Sequence, residues 1–334
     1  MDESRLGKII KQFSDKRILV IGDIMLDRFL WGNVSRISPE APVPVVEIQR
    51  EELYPGGAAN VARNLQPFAR SVAVMGLTGS DREGEQLMEI LSARGLNTDC
   101  IQSSGSNLTT VKTRVVARNQ QVVRIDHEQR TPLTKEQEDR AIEQITRRLP
   151  ELDAVIIQDY GKGFITQSFI DRINEIADSG QTVITVDPNP NNPVTWRGVT
   201  AIKPNRNEAF NFANTAETPL CDPPNKDVTL KQITSSLFRL WQTKHLLITL
   251  GEQGMVLCEN ESSLVHIPSR AQEVFDVSGA GDTAIAIFTL ALACGVDAKE
   301  SAEISNWASA VVIGKFGTAT LEPDELLAAA SNRS

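Results

Sequence analysis

The sequence predicts an α/β fold in which helices cover both faces of a mainly parallel sheet. Short β-branched runs alternate with amphipathic stretches along the chain. The predicted strands cover residues 17–21, 72–76, 154–158, 182–187 and 246–250. The predicted helices cover residues 58–65, 84–93, 135–149, 166–179 and 229–242. Near-continuous apolar strands separated by helices are typical of a parallel sheet buried on both faces, which gives three layers.

Two segments interrupt this alternation. The proline-rich segment 42–48 suits an edge strand, because proline cannot donate a hydrogen bond to a neighbouring strand. Residues 110–117 and 121–126 predict a hairpin that turns at residues 118–120. We interpret these segments, near 42–48 and 110–126, as a small β-sheet inserted into a single domain that spans residues 1–334. We call this inserted sheet the lid.

Composition narrows the class of protein. The 334 residues carry a formal net charge of −9, which argues against a nucleic-acid or membrane-surface partner, because both require a basic surface. The N-terminus has no apolar leader segment, and no apolar run is long enough to span a bilayer. The four cysteines form no CxxC pair, so neither a zinc site nor a redox motif is visible. We therefore expect a cytoplasmic protein with reduced thiols.

The strongest chemical signal is the segment Asp-Val-Ser-Gly-Ala-Gly-Asp-Thr at residues 276–283, followed by an apolar helix. Small residues before a helix allow its first N–H groups to face an anion, so Gly279, Ala280 and Gly281 are candidates for an anion hole. Asp282 lies in the predicted first turn, where it can accept a proton from an attacking hydroxyl group. A glycine-rich turn with a capping aspartate is an equally good interpretation of the pattern alone. The segment lacks the Gly-Lys-Ser/Thr ending of a Walker A loop.

The same segment resembles the C-terminal signature of the ribokinase superfamily of carbohydrate kinases. Residues 56–62, Gly-Gly-Ala-Ala-Asn-Val-Ala, resemble the N-terminal signature of that superfamily. The resemblance implies a ribokinase-like three-layer sandwich that uses ATP to phosphorylate a sugar. It also implies that Gly56 and Gly57 let the backbone approach the sugar and that Asn60 binds sugar hydroxyls. A plain turn before a helix is the alternative for the glycine pair, but two signatures in the expected order disfavour it.

Two further segments resemble the nucleotide side of such kinases. Residues 203–208 resemble an Asn-x-x-Glu element, which implies that Asn205 and Glu208 lie near the phosphates and Mg²⁺, with Glu208 reaching the metal through water. Residues 249–254, Thr-Leu-Gly-Glu-Gln-Gly, resemble the strand and turn that lie along the nucleotide. The cofactor-binding residues that the resemblance implies are Asn205, Arg206, Asn207, Glu208, Thr249, Gly251 and Gly254. An ordinary helix start and a bare β-turn are the alternatives for these two short patterns.

Four further segments, three of them near the N-terminus, resemble one subgroup of this superfamily. Residues 22–27, 31–32, 35–45 and 158–163 are similar to heptose 7-phosphate kinases, whereas most other ribokinase relatives share only the first Gly-Asp…Asp part. This similarity implies phosphorylation of the anomeric hydroxyl of D-glycero-β-D-manno-heptose 7-phosphate, with Asp27 among the sugar-binding residues. Another sugar or sugar-phosphate kinase of the same fold is the first alternative. A non-catalytic sugar-binding regulator is the second, and intact Asp282, Asn205 and Glu208 argue against it.

The predicted hairpin supplies candidates for the phosphate of the sugar. Because side chains alternate along a strand, Lys112 and Arg114 point to one face, and Val111, Thr113 and Val115 point to the other. We expect Lys112, Arg114 and Lys162 to contact the 7-phosphate, although solvated charges are the usual role of such residues. We also expect a homodimer through the lid, which would cover Val43, Val45 and the apolar face of the hairpin. The chain lacks the His-x-Gly-His motif of a nucleotidyltransferase, so we expect a kinase domain only.

Overall fold

A computed structural model describes residues 3–118, 120–177, 182–219, 221–271, 275–315 and 319–331. The helices are α1 (Glu3–Phe13), α2 (Ala58–Leu65), α3 (Arg82–Ala93), α4 (Lys135–Arg148), α5 (Gln167–Ala177), α6 (Arg206–Phe212), α7 (Val228–Trp241), α8 (Ala280–Ala293), α9 (Ala298–Ile313) and α10 (Pro323–Ser331). The strands are β1 (Arg17–Gly22), β2 (Ile24–Ile37), β3 (Pro44–Gly57), β4 (Ser71–Gly79), β5 (Asn97–Ser104), β6 (Val111–Ala117), β7 (Gln120–His127), β8 (Ala154–Gln158), β9 (Val183–Asp187), β10 (Ala201–Ile202), β11 (His245–Thr249), β12 (Met255–Cys258) and β13 (Val265–Ile267).

The central sheet has the strand order β13-β12-β11-β10-β9-β8-β1-β4-β5. Strands β5 through β11 in this order pair in parallel, and β12 and β13 extend one edge in antiparallel fashion. Side chains of β1 alternate between two separate cores, because Ile18 and Val20 pack with α2 and α8 while Leu19 and Ile21 pack with α4 and α5. The predicted three-layer α/β fold is therefore confirmed.

The predicted elements agree closely with the structure where the sequence pattern is strong. Helix α2 and strand β8 have the predicted bounds, 58–65 and 154–158. Helix α4 begins after a capping box in which Thr134 and Gln137 exchange side-chain and backbone hydrogen bonds. The predicted helix 166–179 corresponds to α5, and its last two predicted residues lie outside the described residues.

The lid is a four-stranded sheet with the order β3-β2-β6-β7. Both predicted segments belong to it, and the proline-containing strand is at an edge, as expected. Strand β2 was not predicted; it runs for 14 residues from the base of the lid to its tip and pairs with β3 over its whole length. The pairing is irregular between Trp31 and Gly32 and again between Val34 and Arg36. Asn119, at the predicted hairpin turn, lies outside the described residues.

The exposed apolar surface of the lid is only partly where the sequence indicated. Val111 and Val115 are only 3% and 8% exposed within the single chain, so the expectation that this face of β6 needs a partner's cover was wrong. Val111 packs into the core that also contains residues of α2 and α8. Val43 is exposed, as expected, and the other large apolar side chains exposed on the lid are Ile37, Ile48, Val122, Val123 and Ile125. No helix in the described segments has the length and apolarity that a bilayer span requires.

Candidate active site

The candidate site lies where the carboxyl ends of four neighbouring parallel strands face the first turn of α8. Asp23 follows β1, Gln158 ends β8, Asp187 ends β9 and Lys203 follows β10. Because parallel strands end at the same edge of the sheet, these polar groups converge although they are far apart in sequence. A charged cleft at this edge follows from the topology.

Asp282 lies in the first turn of α8, as the sequence predicts, and is only 7% exposed. Its Oδ2 accepts a 2.7 Å hydrogen bond from Nδ2 of Asn60, and its Oδ1 accepts from the Tyr160 hydroxyl at 3.1 Å and from Nε2 of Gln158 at 3.4 Å. Burial raises the pKa of Asp282 to about 7, against the opposing effect of the Asn60 hydrogen bond. A carboxyl group with this pKa can both accept and release a proton near neutrality.

The N-terminus of α8 has the form of an anion site. Gly279 precedes the helix with φ of 83°, a left-handed conformation that glycine adopts without strain, and no side chain caps the helix. The N–H of Ala280 is bonded to the carbonyl oxygen of Val277 at 3.3 Å, so Ala280 is turned toward its own loop. A Cβ atom at residue 281 would make an ordinary contact, 3.6 Å from Nζ of Lys203. Gly281 therefore faces the cleft beside a buried cation.

Lys203 was not among the residues singled out from the sequence. It is 3% exposed, and its Nζ lies 3.0 Å from Oδ2 of Asp187. Burial alone would lower the pKa of Lys203, but the nearby charges of Asp187, Glu208 and Asp282 outweigh it and raise the pKa above its ordinary value. The ammonium group therefore stays charged next to the helix N-terminus, where it adds positive potential for a phosphoryl group.

Asn205 and Glu208 form a capping box at the start of α6. The N–H of Glu208 donates to Oδ1 of Asn205 at 2.9 Å, and the N–H of Asn205 donates to Oε2 of Glu208 at 2.7 Å. A cavity of about 420 Å³ adjoins them and is lined by Asn189, Pro190, Asn191, Asn205, Asn207, Glu208 and Asn211. Burial, followed by the charge of Asp187, raises the pKa of Glu208 to about 7. The second carboxylate oxygen of Glu208 remains for a ligand in this oxygen-rich cavity.

The other predicted nucleotide residues surround this region but have internal contacts of their own. Arg206 forms an ion pair with Glu217 and stacks over the ring of Phe210 at 4.6 Å, and Asn207 also donates to Glu217 at 3.3 Å. Thr249 ends β11 and forms an isolated parallel bridge with Asn205. This bridge brings the two predicted nucleotide segments together.

The two glycines after Thr249 differ in their surroundings. Gly251 has φ of 59° and open space around its Cα, so a ligand can approach its backbone. A Cβ at Gly254 would overlap the carbonyl oxygen of Ile267 at 2.2 Å. Packing within the chain itself therefore explains why residue 254 is glycine.

The predicted sugar-binding residues come together at the base of the lid. A Cβ at Gly56 would lie 2.4 Å from Oδ2 of Asp27, and a Cβ at Gly57 would lie 2.3 Å from the carbonyl oxygen of Asp23. The glycine pair thus lets β3 lie directly against the start of β2. Asn60, in the first turn of α2, then reaches Asp282 across the cleft.

The basic residues of the lid are already paired with carboxylates. Arg114 forms an ion pair with Asp27, and its guanidinium lies 5.2 Å from the ring centroid of Phe29. Lys112 contacts Asp126 at 3.0 Å and Glu128 at 3.2 Å, and Lys162 contacts the same Glu128 at 2.7 Å. The structure brings the three predicted cations to one side of the lid, with each in an internal ion pair.

Four residues that complete the site escaped sequence analysis: Gln158, Tyr160, Asp187 and Lys203. Gln158 and Tyr160 lie in a segment that was noted only for its resemblance to heptose kinases. Asp187 and Lys203 are single charged residues at the ends of buried strands. Their position at the carboxyl edge of the predicted sheet was the available signal.

Comparisons with known proteins agree with this geometry. A family model described as "pfkB family carbohydrate kinase" matches residues 15–325. "Bifunctional protein HldE" of Trichlorobacter lovleyi is 39% identical over 331 residues, which cover 99% of this chain and 66% of that protein. A protein of the same name from Helicobacter pylori is 39% identical over 314 residues, covering 93% of this chain and 65% of that protein. The chain thus spans just under two thirds of the length of these relatives.

Solved structures share the fold at low sequence identity. Phosphofructokinase-2 from Escherichia coli superposes with a TM-score of 0.73 at 16% identity, covering 95% of this chain and 98% of that one. Ribokinase from Arabidopsis thaliana, complexed with ribose and ATP, gives 0.70 at 16% identity, covering 95% and 99%. The fold is therefore ribokinase-like. Given also the match of the family model, the chain belongs to the pfkB family of carbohydrate kinases and is a phosphotransferase that acts on a sugar hydroxyl group.

Proposed function

We propose that the protein transfers the γ-phosphoryl group of ATP to the anomeric C1 hydroxyl of D-glycero-β-D-manno-heptose 7-phosphate. The products are the 1,7-bisphosphate and ADP, in an early step of ADP-heptose synthesis for the lipopolysaccharide inner core. The resemblance of residues 22–27, 31–32, 35–45 and 158–163 to heptose 7-phosphate kinases supports this substrate. The identity of 39% to two bifunctional HldE proteins over nearly the whole chain also supports it.

The observation that carries the proposal is the position of Asp282. It is a buried carboxyl group with a pKa of about 7, held by Asn60 of the sugar-side helix at the first turn of α8. As the C1 oxygen attacks the γ-phosphorus, Asp282 takes the hydroxyl proton. The bond from phosphorus to the bridging oxygen of ADP breaks, and the electron pair leaves with ADP.

The developing charge on the phosphoryl oxygens is met by groups fixed before the reaction. Gly279 and Gly281 leave the first turn of α8, apart from the N–H of Ala280, without a capping side chain, and the helix dipole adds to the effect of its N–H groups. Ala280 keeps the turn small, and Lys203 supplies a full charge beside Gly281. Such preorganised donors stabilise the transition state because no dipole has to reorient as charge develops.

The residues near the cavity fit a hydrated magnesium ion. No cluster of three or more His, Cys, Asp or Glu side chains able to hold a metal occurs among the described residues, so direct coordination by protein alone is not the expected mode. Mg²⁺ usually retains several waters and uses one or two carboxylates plus phosphate oxygens. Glu208, with one oxygen outside the capping box, would hold it through water, next to Asn205. When bound, the ion neutralises charge on the β- and γ-phosphates.

The remaining predicted residues divide between nucleotide and sugar. Arg206, Asn207, Thr249, Gly251 and Gly254 are assigned to the nucleotide side, and of these Asn207 lines the cavity. Asp27, Gly56, Gly57 and Asn60 form the sugar side. Lys112, Arg114 and Lys162 bind the 7-phosphate by exchanging their internal carboxylate partners for phosphate oxygens, which accept a forked guanidinium well.

The homodimer is also a proposal. The lid exposes apolar side chains near its tip and along β7, and Ile125 is 55% exposed. Two lids that pack against each other would remove this surface from water and would protect the edge strands β3 and β7.

The decisive experiment is a coupled ADP-release assay with ATP and Mg²⁺ over a matched panel. The panel contains heptose 7-phosphate, the unphosphorylated heptose, fructose 6-phosphate, fructose and ribose. We expect kcat/KM to be highest for heptose 7-phosphate by at least about 10²-fold, because loss of charge-assisted phosphate contacts costs roughly 3 kcal/mol. A higher kcat/KM for any other member of the panel would assign that sugar as the substrate and reject the heptose proposal.

A further inference from the structure

Asp23, a carboxyl group that is 5% exposed and directly follows β1, takes no part in the proposed phosphoryl transfer. Oδ2 of Asp23 accepts hydrogen bonds from the backbone N–H groups of Tyr160 and Lys162, both at 2.9 Å, and Oδ1 accepts from the N–H of Phe164 at 3.1 Å. A single buried carboxyl group therefore binds every second N–H group of the loop that follows β8. We call residues 159–164 the β8 loop.

The backbone of the β8 loop is shaped to reach this carboxyl group. Gly161 and Gly163 have φ of 68° and 114°, and a Cβ at Gly163 would overlap the carbonyl oxygen of Thr131 at 2.3 Å. Asp159 accepts from the N–H of Gly161 at 2.8 Å and from Nδ2 of Asn192 at 2.9 Å. The loop is thus curled around Asp23 on one side and anchored by Asp159 on the other.

The β8 loop carries one side chain to the base and another to the lid. The Tyr160 hydroxyl donates to Oδ1 of Asp282 at 3.1 Å. Burial, followed by the charge of Asp282, raises the pKa of Tyr160 well above its ordinary value, so the phenol stays an O–H donor. Two residues later, Lys162 contacts Glu128, which also binds Lys112 of β6. Tyr160 and Lys162 are only two positions apart in the sequence, so the same short loop contacts both Asp282 and the lid.

We propose that Asp23 is a positioning residue: its carboxyl group templates the β8 loop, so that Tyr160 donates to the base Asp282 while Lys162 ties the same loop to the lid. This inference rests on the proposed function for the role of Asp282, and it assigns roles to Asp23 and Tyr160 that the sequence resemblance did not. A hydrogen bond to the charged form of a carboxyl group lowers its pKa. Tyr160 therefore keeps Asp282 more acidic than burial alone would, but only while Asp23 holds the loop in place.

The first test measures the base without any substrate. The titration of Asp282 is followed by ¹³C NMR of the labelled full-length chain, and its signal is assigned by its disappearance in Asp282→Asn. We expect Tyr160→Phe to move the midpoint upward by about one pH unit, since a hydrogen bond to a charged group is worth about 1.5 kcal/mol. We expect Asp23→Asn to produce a shift in the same direction, because an amide has one acceptor oxygen and cannot hold all three N–H groups.

The double variant Asp23→Asn/Tyr160→Phe tests whether the shift in Asp23→Asn arises from loss of the Tyr160 hydrogen bond or from a general loss of stability. We expect its midpoint to match that of Tyr160→Phe, because both changes remove the same hydrogen bond. The matched control is Asp81→Asn. Asp81 is also a carboxylate that binds backbone N–H groups, but it accepts two, from Gly84 and Thr109, both at 2.8 Å, and it lies away from the site. This control should lower the melting temperature and leave the Asp282 midpoint unchanged.

Kinetics test the part of the proposal in which Lys162 ties the β8 loop to the lid. Asp23→Asn should raise KM for the phosphosugar and lower kcat together, whereas Tyr160→Phe should affect kcat and leave that KM within about twofold. An unchanged Asp282 midpoint in Tyr160→Phe overturns the proposal, even if Asp23→Asn fails to fold. Additive shifts of the midpoint in the double variant also overturn it, since they show that Asp23 affects Asp282 independently of Tyr160. Because the titration requires no turnover, an inactive wild-type enzyme would count against the proposed function alone.

Discussion

The side-chain amide of Asn60 donates a 2.7 Å hydrogen bond to the carboxylate of Asp282, although 222 positions of sequence separate them. Asn60 belongs to the helix that follows the glycine pair, and Asp282 belongs to the helix that follows the second glycine-rich segment. The two signatures that the sequence shows separately thus meet in one contact. This contact sets the orientation of the proposed base before any ligand binds.

Asp282→Asn should reduce kcat by about 10²–10⁴-fold, the usual cost of losing a general base. The amide keeps the size of the side chain and can still accept from Asn60, but it cannot take up a proton. Rates of ADP release, with sugar and ATP affinities from calorimetry, check the prediction. Affinities should stay within about threefold, and a near-normal kcat would exclude Asp282 as the base.

The same variant should change how stability depends on pH. Burial raises the folded-state pKa of Asp282 from 3.8 to about 7, so the folded protein binds this proton more tightly than the unfolded chain does. The stability that this proton contributes is complete below pH 4 and is lost as the pH rises through 7. Asp282→Asn has no such proton to lose.

Melting temperatures of both proteins at pH 5 and pH 8 test this sign. The difference, variant minus wild type, should become more positive by roughly 2–4 °C at the higher pH, for about 2 kcal/mol in a chain of this size. A difference that stays constant, or that reverses, would show that Asp282 is already ionised in the folded protein at pH 5.

Gly281→Val should abolish phosphoryl transfer without unfolding the protein. A Cβ at this position makes only an ordinary contact with Lys203, so the fold accepts it, but the two methyl groups would occupy the space in front of the helix N-terminus. Gly281→Ala is the matched control, with an intermediate loss of activity. Both variants should melt within a few degrees of wild type, and normal ADP release by the valine variant would place the anion hole elsewhere.

Arg114→Ala should raise KM for heptose 7-phosphate about tenfold to a hundredfold and leave KM for ATP unchanged, since one charge-assisted contact is worth about 1.5–3 kcal/mol. The ion pair with Asp27 complicates this variant, because its loss leaves a buried carboxylate without its partner. The unphosphorylated heptose provides the control. If Arg114 contacts the 7-phosphate, Arg114→Ala should leave KM for that sugar nearly unchanged.

Lys112→Ala serves as the companion to Arg114→Ala. Asp126 and Glu128 keep other cationic partners, Arg124 and Lys162, when Lys112 is removed. An unchanged KM for heptose 7-phosphate in both variants would show that other residues hold the phosphate.

The lid should mediate a dimer at micromolar concentration, measured by sedimentation velocity. Ile125→Asp places a charge on a strand that is exposed along its whole length, so it should shift the population toward monomer without lowering the melting temperature of the domain. Val228→Asp is the control, because Val228 is 67% exposed and lies outside the lid. A monomeric wild-type protein would contradict the prediction.

Much of the fold was predictable because its strands and helices have strong patterns. Strand β8 is a run of four buried apolar residues that ends in the buried Gln158, and helix α2 follows directly from a glycine pair. Strand β10 is only two residues long, so no pattern could locate it, and Lys203, although it opens the segment 203–208, was given no role for that reason. Tyr160 was missed because its role depends on α8 crossing the end of β8, a contact across 122 positions that no local pattern encodes.

The continuity of β2 and β3 determines how the lid can vary. Both strands run for 14 residues, and the irregular pairing at Gly32 separates a base containing Asp27 and Gly56 from an outer half that ends at Ile37 and Pro44. Because the base is packed into the domain, substitutions there would disturb the sugar side itself. We expect the outer half to be exchangeable: grafting the tip of another family member there should change the exposed apolar surface of the lid and leave the floor of the sugar site intact.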